Sequence, residues 1–168
     1  MEENESYNNN AKTLNLIHLN KTILGLLPYA DPFLFVDELT SVLKDGIVGN
    51  YTYLRDSDFY RGHFVNNPLT PGVILTETMA QIGVVCLGIY LNIDNTDHLR
   101  DLQIAMTSSE VEYLLPVLPE EKVTVISEKV YYRFGKLKCN VSMTNSSGEL
   151  VCRGTISGII RTSIPSNL

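Results

Sequence analysis

The sequence predicts an α+β domain in which one long helix packs against a curled antiparallel sheet. Two observations support this prediction. Residues 71–91 are apolar except for a single charge, which is typical of a helix buried on nearly all sides. After Pro119 the apolar residues instead alternate with polar ones, which is typical of strands with one buried face.

The size and composition of the chain are those of a single domain. Its 168 residues, 44% of them hydrophobic, can form a full core. We predict a disordered tail over residues 1–12, one domain over 13–163 and a short tail over 164–168. A net charge of −6 argues against a nucleic-acid-binding protein, which normally has a basic face. No signal peptide is recognisable and the three cysteines lack metal-site spacing, so we expect reduced thiols, no metal and a cytoplasmic location.

The region before the apolar run is predicted to contain a short helix and a hairpin. Residues 22–27 have helical character and precede a proline. Two apolar runs, residues 33–43 and 47–54, flank the dipeptide Asp45-Gly46. Such a dipeptide between two apolar runs is typical of a tight hairpin turn, so we predict two paired strands.

The apolar run from Pro71 to Leu91 is predicted to be the central helix. It follows a stretch rich in Gly, Pro and Asn over residues 56–70, which we interpret as a loop, and Pro71 suits a first helical turn. An apolar run of this length could alternatively span a membrane. We favour a core helix, because Glu77 and Gln81 lie in the middle of the run and no basic flanks mark an orientation.

Three or four strands are predicted after the helix. Over residues 137–143 apolar and polar side chains alternate, and the polar segment Asn145–Gly148 then turns the chain. A similar alternation follows over residues 150–156. Residues 123–134 provide the third strand, and residues 102–113 contain a further one.

One segment contains most of the candidate functional residues. Residues 62–64, Gly-His-Phe, lead through a loop into Pro71-Gly72, and Glu77 follows inside the apolar run. Burial of an ionised carboxylate is unfavourable unless it is compensated, so a charge at this position indicates chemistry. Desolvation also raises the pKa of a carboxyl group, which then stays protonated and can act as an acid. A histidine, with a reference pKa of about 6.5, is a suitable base near neutral pH.

Four segments together resemble a known family. They are Leu-Pro-Tyr-Ala-Asp-Pro-Phe-Leu-Phe-Val-Asp at residues 27–37, the span from Gly62 to Glu77 with its internal Pro-Gly, Ala80-Gln81, and Val117-Leu118-Pro119. This combination resembles the FabZ-type (3R)-hydroxyacyl-[acyl-carrier-protein] dehydratases, which have the hotdog fold. The resemblance extends over roughly residues 26–160. Tyr29 stands where the family commonly has histidine.

The resemblance implies a lyase that converts (3R)-3-hydroxyacyl-[acyl-carrier-protein] to the trans-2-enoyl thioester and water. It implies His63 as the base and Glu77 as the acid, contributed by different subunits. Gly72 and Val73, at the start of the helix, are the candidates for contacting the thioester oxygen. Gln81, one turn beyond Glu77, either orients the carboxylate or is a polar interface residue.

The same resemblance defines the expected partners. No metal or redox cofactor is implied, since the phosphopantetheine arm arrives with the acyl carrier protein. The subunits are expected to form a homodimer, a trimer of dimers or a hetero-oligomer with a related hotdog subunit. The segment Glu110–Leu115 has no cation where the family is often basic. Arg133, Lys136 and Lys138 are therefore the candidates for docking an acidic carrier protein.

Two other functions stay open at this point. A hotdog acyl thioesterase would use Glu77 to activate a water, and one fold can support both chemistries. A non-catalytic acyl-binding subunit of a synthase complex is the second alternative. His63 within Gly-His-Phe favours elimination over both. The pathway is also open, between fatty-acid synthesis and synthesis of a polyketide or aryl polyene.

Overall fold

The computed structural model describes residues 16–93 and 102–162. Both predicted tails lie outside the described residues. The elements are α1 (residues 16–25), β1 (Glu38–Leu43), β2 (Gly46–Thr52), α2 (Gly72–Leu91), β3 (Leu102–Tyr113), β4 (Lys122–Arg133), β5 (Lys136–Thr144) and β6 (Leu150–Thr162). The predicted order of strands and long helix is confirmed, with four strands after α2.

The six strands form one antiparallel sheet in the order β1-β2-β4-β5-β6-β3. The sheet does not close on itself. Its edges are β1, which pairs with β2, and β3, which pairs with β6 along almost its whole length. Within the described part of the chain, the other side of β3 has no strand beside it. A twelve-residue strand with one free edge is a ready surface for pairing with another chain.

The central helix α2 is buried against the sheet. Residues 78–89 are all buried, and they pack against the strands β2, β4, β5 and β6. Among the described residues, α2 is the one helix long and apolar enough to cross a membrane, but 78% of its apolar window is buried inside the fold. It is therefore a core helix, and the hotdog-type α+β class predicted from the sequence is confirmed.

The predicted alternation on β5 is present in the structure. Its four apolar residues at positions 137, 139, 141 and 143 are at most 3% exposed and face α2 with the rest of the core. The turn that follows is held by the side chain of Asn145, whose Oδ1 accepts hydrogen bonds from the N–H groups of Ser147 and Glu149. Gly148 completes the turn with a φ of +80°, a conformation that glycine adopts without strain.

Three predicted boundaries were wrong, those of α1, of the start of β1 and of the start of α2. The first helix covers residues 16–25 instead of 22–27, and Pro71 is the N-cap of α2 with extended backbone instead of a residue of its first turn. The first strand begins at Glu38, five residues later than predicted. Within its expected start, the Phe33 oxygen and the Phe35 N–H bond the side chain of Gln81, and only the Asp37 N–H reaches β2, at the Asn50 oxygen. A long-range side-chain contact of this kind leaves no local pattern in the sequence.

The hairpin is confirmed, but its glycine has a different role from the one expected. The turn residues are Lys44 and Asp45, and Gly46 already pairs with Leu43 as the first residue of β2. A Cβ atom at Gly46 would lie 2.4 Å from the Ser127 backbone oxygen on β4. Gly46 is therefore needed for the close approach of two strands.

This contact gives a prediction about stability. Gly46→Ala should lower the free energy of unfolding by about 1–3 kcal/mol, because the added methyl group overpacks against backbone that cannot rotate away. Urea unfolding measures the effect. Gly25→Ala is the matched control, since nothing lies within 4 Å of a Cβ atom there. Equal stabilities of the two variants would contradict this account of Gly46.

Candidate active site

The N-terminus of α2 presents two backbone donors. The N–H groups of Ile74 and Leu75 both donate to the Pro71 oxygen, at 2.9 and 3.1 Å. The N–H groups of Gly72 and Val73 are the first of the helix and have no preceding turn to bond with. They lie at the positive end of the helix dipole. Both predicted oxyanion-contact residues thus occupy a position suited to binding a negatively charged oxygen.

The His63 side chain is held in one orientation by its own loop. Its Nδ1 lies 2.9 Å from the Leu69 oxygen. A carbonyl oxygen only accepts hydrogen bonds, so Nδ1 carries the proton and Nε2 keeps its lone pair in the neutral ring. The backbone reinforces this, because the His63 N–H donates to the Phe59 oxygen and the Leu69 N–H donates to the His63 oxygen. The arrangement presents Nε2 as a base.

The structure brings His63 and the start of α2 together. Both line a cavity of about 420 Å³, together with Leu75 and the segment that follows β3. The lining also includes Tyr113, Leu114 and Leu115. These side chains are 38–48% exposed, so the mouth of this cavity is apolar.

Glu77 lies on a different side of α2. Its side chain is half-buried and lines a smaller cavity of about 90 Å³ between α2, β3 and β6. The walls of that cavity also include Val84, Ile104 and Ser157. A single chain therefore places His63 and Glu77 in separate cavities, which is the arrangement expected of a site shared between subunits.

Gln81 fixes the Glu77 carboxylate. Its Nε2 donates to Glu77 Oε1 at 2.9 Å and to the Phe33 oxygen at 3.0 Å, while its Oε1 accepts from the Phe35 N–H at 2.8 Å. Gln81 is fully buried within the single chain, so the alternative of a polar interface residue is wrong. Its three hydrogen bonds leave the amide one orientation, and Glu77 is its one side-chain partner, since the other two are backbone groups.

Tyr29 is a residue of the Glu77 cavity that the sequence did not identify as functional. Its ring lines the same cavity as Glu77. Burial, and secondarily the Glu77 carboxylate, raises the pKa of Tyr29 to about 12. The phenol therefore stays neutral at physiological pH. The sequence showed only that Tyr29 stands where the family commonly has histidine. That replacement does not indicate which residues surround the side chain.

Tyr113 and Thr76 are two further residues that the sequence did not identify. The Tyr113 hydroxyl lies 2.6 Å from Thr76 Oγ1, and Thr76 Oγ1 donates to the Gly72 oxygen at 3.2 Å. A Cβ atom at Gly72 would lie 3.1 Å from the Tyr113 ring. The Tyr113 side chain thus covers the first turn of α2, although 37 residues separate it from Thr76 in sequence.

The three docking candidates lie at the turn between β4 and β5. Arg133 and Lys136 are exposed and Lys138 is half-buried. Among the described residues none of the three forms an ion pair, whereas Lys129 pairs with Asp45 and Arg153 pairs with Glu112.

Strand register separates this cationic turn from the His63 cavity within one chain. Tyr113 pairs with Cys152 and Lys136 pairs with Ile159, so the two pairings lie seven positions apart along β6. That distance is about 23 Å along a strand. Ile104, in the wall of the Glu77 cavity, pairs with Ile160 at the same end as Lys136. The cations therefore lie near the Glu77 half of the site.

The three cysteines are packing residues. All three are free and buried. Burial raises the pKa of the Cys86 and Cys139 thiols and raises that of Cys152 to about 12. A protonated, inaccessible thiol is a poor nucleophile, which excludes these residues from the chemistry of the site.

The comparisons with known proteins point to one family. Residues 27–156 match the family described as the FabA-like domain. The 3-hydroxyacyl-[acyl-carrier-protein] dehydratase FabZ of Acinetobacter baumannii is 30% identical over 140 residues, which are 83% of this chain and 87% of that protein. The matched region contains the whole lining of the His63 cavity and both candidate catalytic residues, His63 and Glu77.

Solved structures share the fold. The dehydratase heterocomplex ApeI:P from Xenorhabdus doucetiae superposes with a TM-score of 0.69 at 11% identity, covering 86% of this chain and 92% of that chain. A hypothetical thioesterase with coenzyme A from Streptococcus pneumoniae gives a TM-score of 0.55 at 16% identity, covering 75% of this chain and 86% of that chain. At these identities the likeness is one of fold alone.

Proposed function

The chain belongs to the FabA-like domain family, and we propose on this basis that it removes water from (3R)-3-hydroxyacyl thioesters carried on an acyl carrier protein. The observation that carries the proposal is the cavity lined by both His63, whose Nε2 keeps its lone pair, and Gly72, the first residue of α2. The family and the relative at 30% identity support the dehydratase class predicted from the sequence.

Elimination assigns a task to each group. His63 Nε2 takes the proton from C2, and negative charge develops on the thioester oxygen. The N–H groups of Gly72 and Val73 stabilise that oxygen, because they are fixed donors that need no reorganisation. The C3–O bond breaks, Glu77 gives a proton to the departing hydroxyl, and water leaves. The double bond forms between C2 and C3.

Assembly of two chains completes the site. β3 has its free edge available, the His63 cavity is at its Tyr113 end, and the Glu77 cavity is at its Ile104 end. Antiparallel pairing of two copies of β3 brings the Tyr113 end of one chain to the Ile104 end of the other. The proposed dimer thereby joins the His63 half of one subunit to the Glu77 half of its partner.

The proposed reaction needs no resident cofactor. Loss of water changes the net oxidation state of neither the substrate nor the enzyme, so no redox group takes part. The phosphopantetheine arm arrives with the carrier. We propose a cytoplasmic location and either fatty-acid or polyketide- or aryl-polyene-type synthesis as the pathway.

The two alternative functions have less support. The likeness to a thioesterase is one of fold, and the His63 arrangement provides a base facing a cavity with oxyanion donors. A non-catalytic subunit would not need a histidine held in one tautomer or a carboxylate held by a buried amide. Enoyl absorbance measured against free thiol release separates elimination from hydrolysis.

The first functional prediction concerns the two catalytic residues. His63→Ala and Glu77→Ala should each lower the rate of enoyl formation from a 3-hydroxyacyl pantetheine thioester by about 10²–10⁴, because a positioned base or acid is lost. Glu77→Gln keeps the volume and loses the titratable proton, so it should also be poor. His18→Ala, on the exposed face of α1, is the control. Near-normal turnover in either alanine variant would overturn the mechanism.

The second prediction concerns the shared site. Mixing inactive His63→Ala with inactive Glu77→Ala subunits should restore activity, because each mixed dimer contains one intact site. Full exchange of subunits should recover about a quarter of the wild-type sites, since half of the dimers are mixed and each has one of two sites. No recovery despite exchange measured by native mass spectrometry would contradict the shared site.

The third prediction concerns carrier docking. We expect weaker use of the carrier-linked substrate in Arg133→Glu and in the double variant Lys136→Glu with Lys138→Glu. Activity on the pantetheine thioester should be unaffected, because that substrate lacks the acidic protein surface. Added salt should mimic the reversal, since exposed charges are screened beyond about 8–10 Å. Lys21→Glu, exposed on α1, is the control. Equal loss on both substrates would mean that the change damaged the fold or the active site, and no loss on either would place docking elsewhere.

A further inference from the structure

A hydrogen-bond chain ties the edge strand to the first turn of the central helix. It runs from the Tyr113 hydroxyl to Thr76 Oγ1 and on to the Gly72 oxygen. Thr76 is 7% exposed, so water does not compete strongly for its hydroxyl. Tyr113 lines the His63 cavity as well. This series of hydrogen bonds therefore begins at the wall of the site and ends at the peptide group between Gly72 and Val73.

The number of hydroxyl protons decides which group donates in each of these hydrogen bonds. A hydroxyl group has one proton, and Thr76 donates its proton to the Gly72 oxygen. In the contact of 2.6 Å with Tyr113, Thr76 must therefore accept and Tyr113 must donate. The Tyr113 proton is thus committed to Thr76. Tyr113 has no proton left to give to a substrate oxygen, and its influence on the site passes through Thr76.

The peptide between Gly72 and Val73 transmits this influence. A trans peptide is planar, and its N–H points opposite to its C=O. Holding the Gly72 oxygen therefore also sets the direction of the Val73 N–H. That N–H is one of the two free donors at the start of α2. The Tyr113 ring lies beside the same turn, since a Cβ atom added at Gly72 would be 3.1 Å from it.

We propose that Tyr113 is a positioning residue for the reaction: through Thr76 it aims the Val73 N–H at the thioester oxygen. The proposal rests on the proposed dehydratase function. It adds a residue that acts on the reaction without itself forming a hydrogen bond to the thioester oxygen. Because the aim of a donor matters most when charge develops, the loss of Tyr113 affects turnover more than substrate binding.

Kinetics of a double-mutant cycle test the proposal. Tyr113→Phe keeps the ring and removes the hydroxyl, and Thr76→Val keeps the shape and removes the link. Each should lower kcat on (3R)-3-hydroxybutyryl-pantetheine about tenfold with KM within about twofold, less than the 10²–10³ lost with a whole oxyanion donor. The double variant should lose no more than either single one. Multiplying losses, an unchanged kcat, or a loss entirely in KM would overturn the proposal.

Tyr132→Phe is the matched control. The Tyr132 hydroxyl also has a side-chain partner, Asn92, at 2.9 and 3.1 Å, and it lines neither cavity of the site. It should lose stability without losing kcat. Equal losses of kcat in Tyr113→Phe and Tyr132→Phe would indicate a general effect on the fold and would overturn the positioning role.

A measurement that does not depend on activity separates this proposal from the proposed function. Amide proton–nitrogen spectra of Tyr113→Phe should show shifts at Gly72 and Val73 larger than those on α1. Unmoved resonances would overturn the proposal whatever the enzyme does. If the Gly72 and Val73 resonances shift but the wild-type protein forms no enoyl product, the link from Tyr113 to the start of α2 is supported and the dehydratase function is overturned.

Discussion

The buried side-chain amide of Gln81 determines how the polar part of this fold is arranged. The central helix is almost entirely apolar and surrounded by sheet, so any polar group on it needs partners from outside the helix. Gln81 uses its three hydrogen bonds on two separate parts of the molecule. Two of them hold the segment before β1, and the third holds Glu77. The backbone path into the sheet and the direction of the acid are thus set by one group.

The periodic part of the fold could be predicted from the sequence. The apolar run of α2 and the alternation on β5 reflect burial on all sides and on one side, and both patterns are visible residue by residue. The start of β1 could not be predicted, because Gln81 binds residues 33–35 from 46 and 48 positions away. The role of Gly46 was also hidden, since the constraint comes from a neighbouring strand.

The candidate site could be predicted in part. His63, Gly72 and Glu77 were recognisable because their residue types and spacing match a known chemistry. Their separation into two cavities depends on which face of α2 each one meets, and this follows only from the packed structure. Tyr113 had no recognisable motif. Its relation to Thr76 arises where the end of β3 crosses the start of α2, and no sequence pattern reports that crossing.

The free edge of β3 links catalysis to protein concentration. The two halves of the proposed site lie at opposite ends of this strand, so in the proposed dimer the backbone hydrogen bonds that join two chains also bring the base and the acid together. The fraction of assembled sites then obeys mass action. For the proposed dimer, specific activity falls on dilution below the dissociation constant of the two chains, and the cellular abundance of the protein becomes a control on its rate.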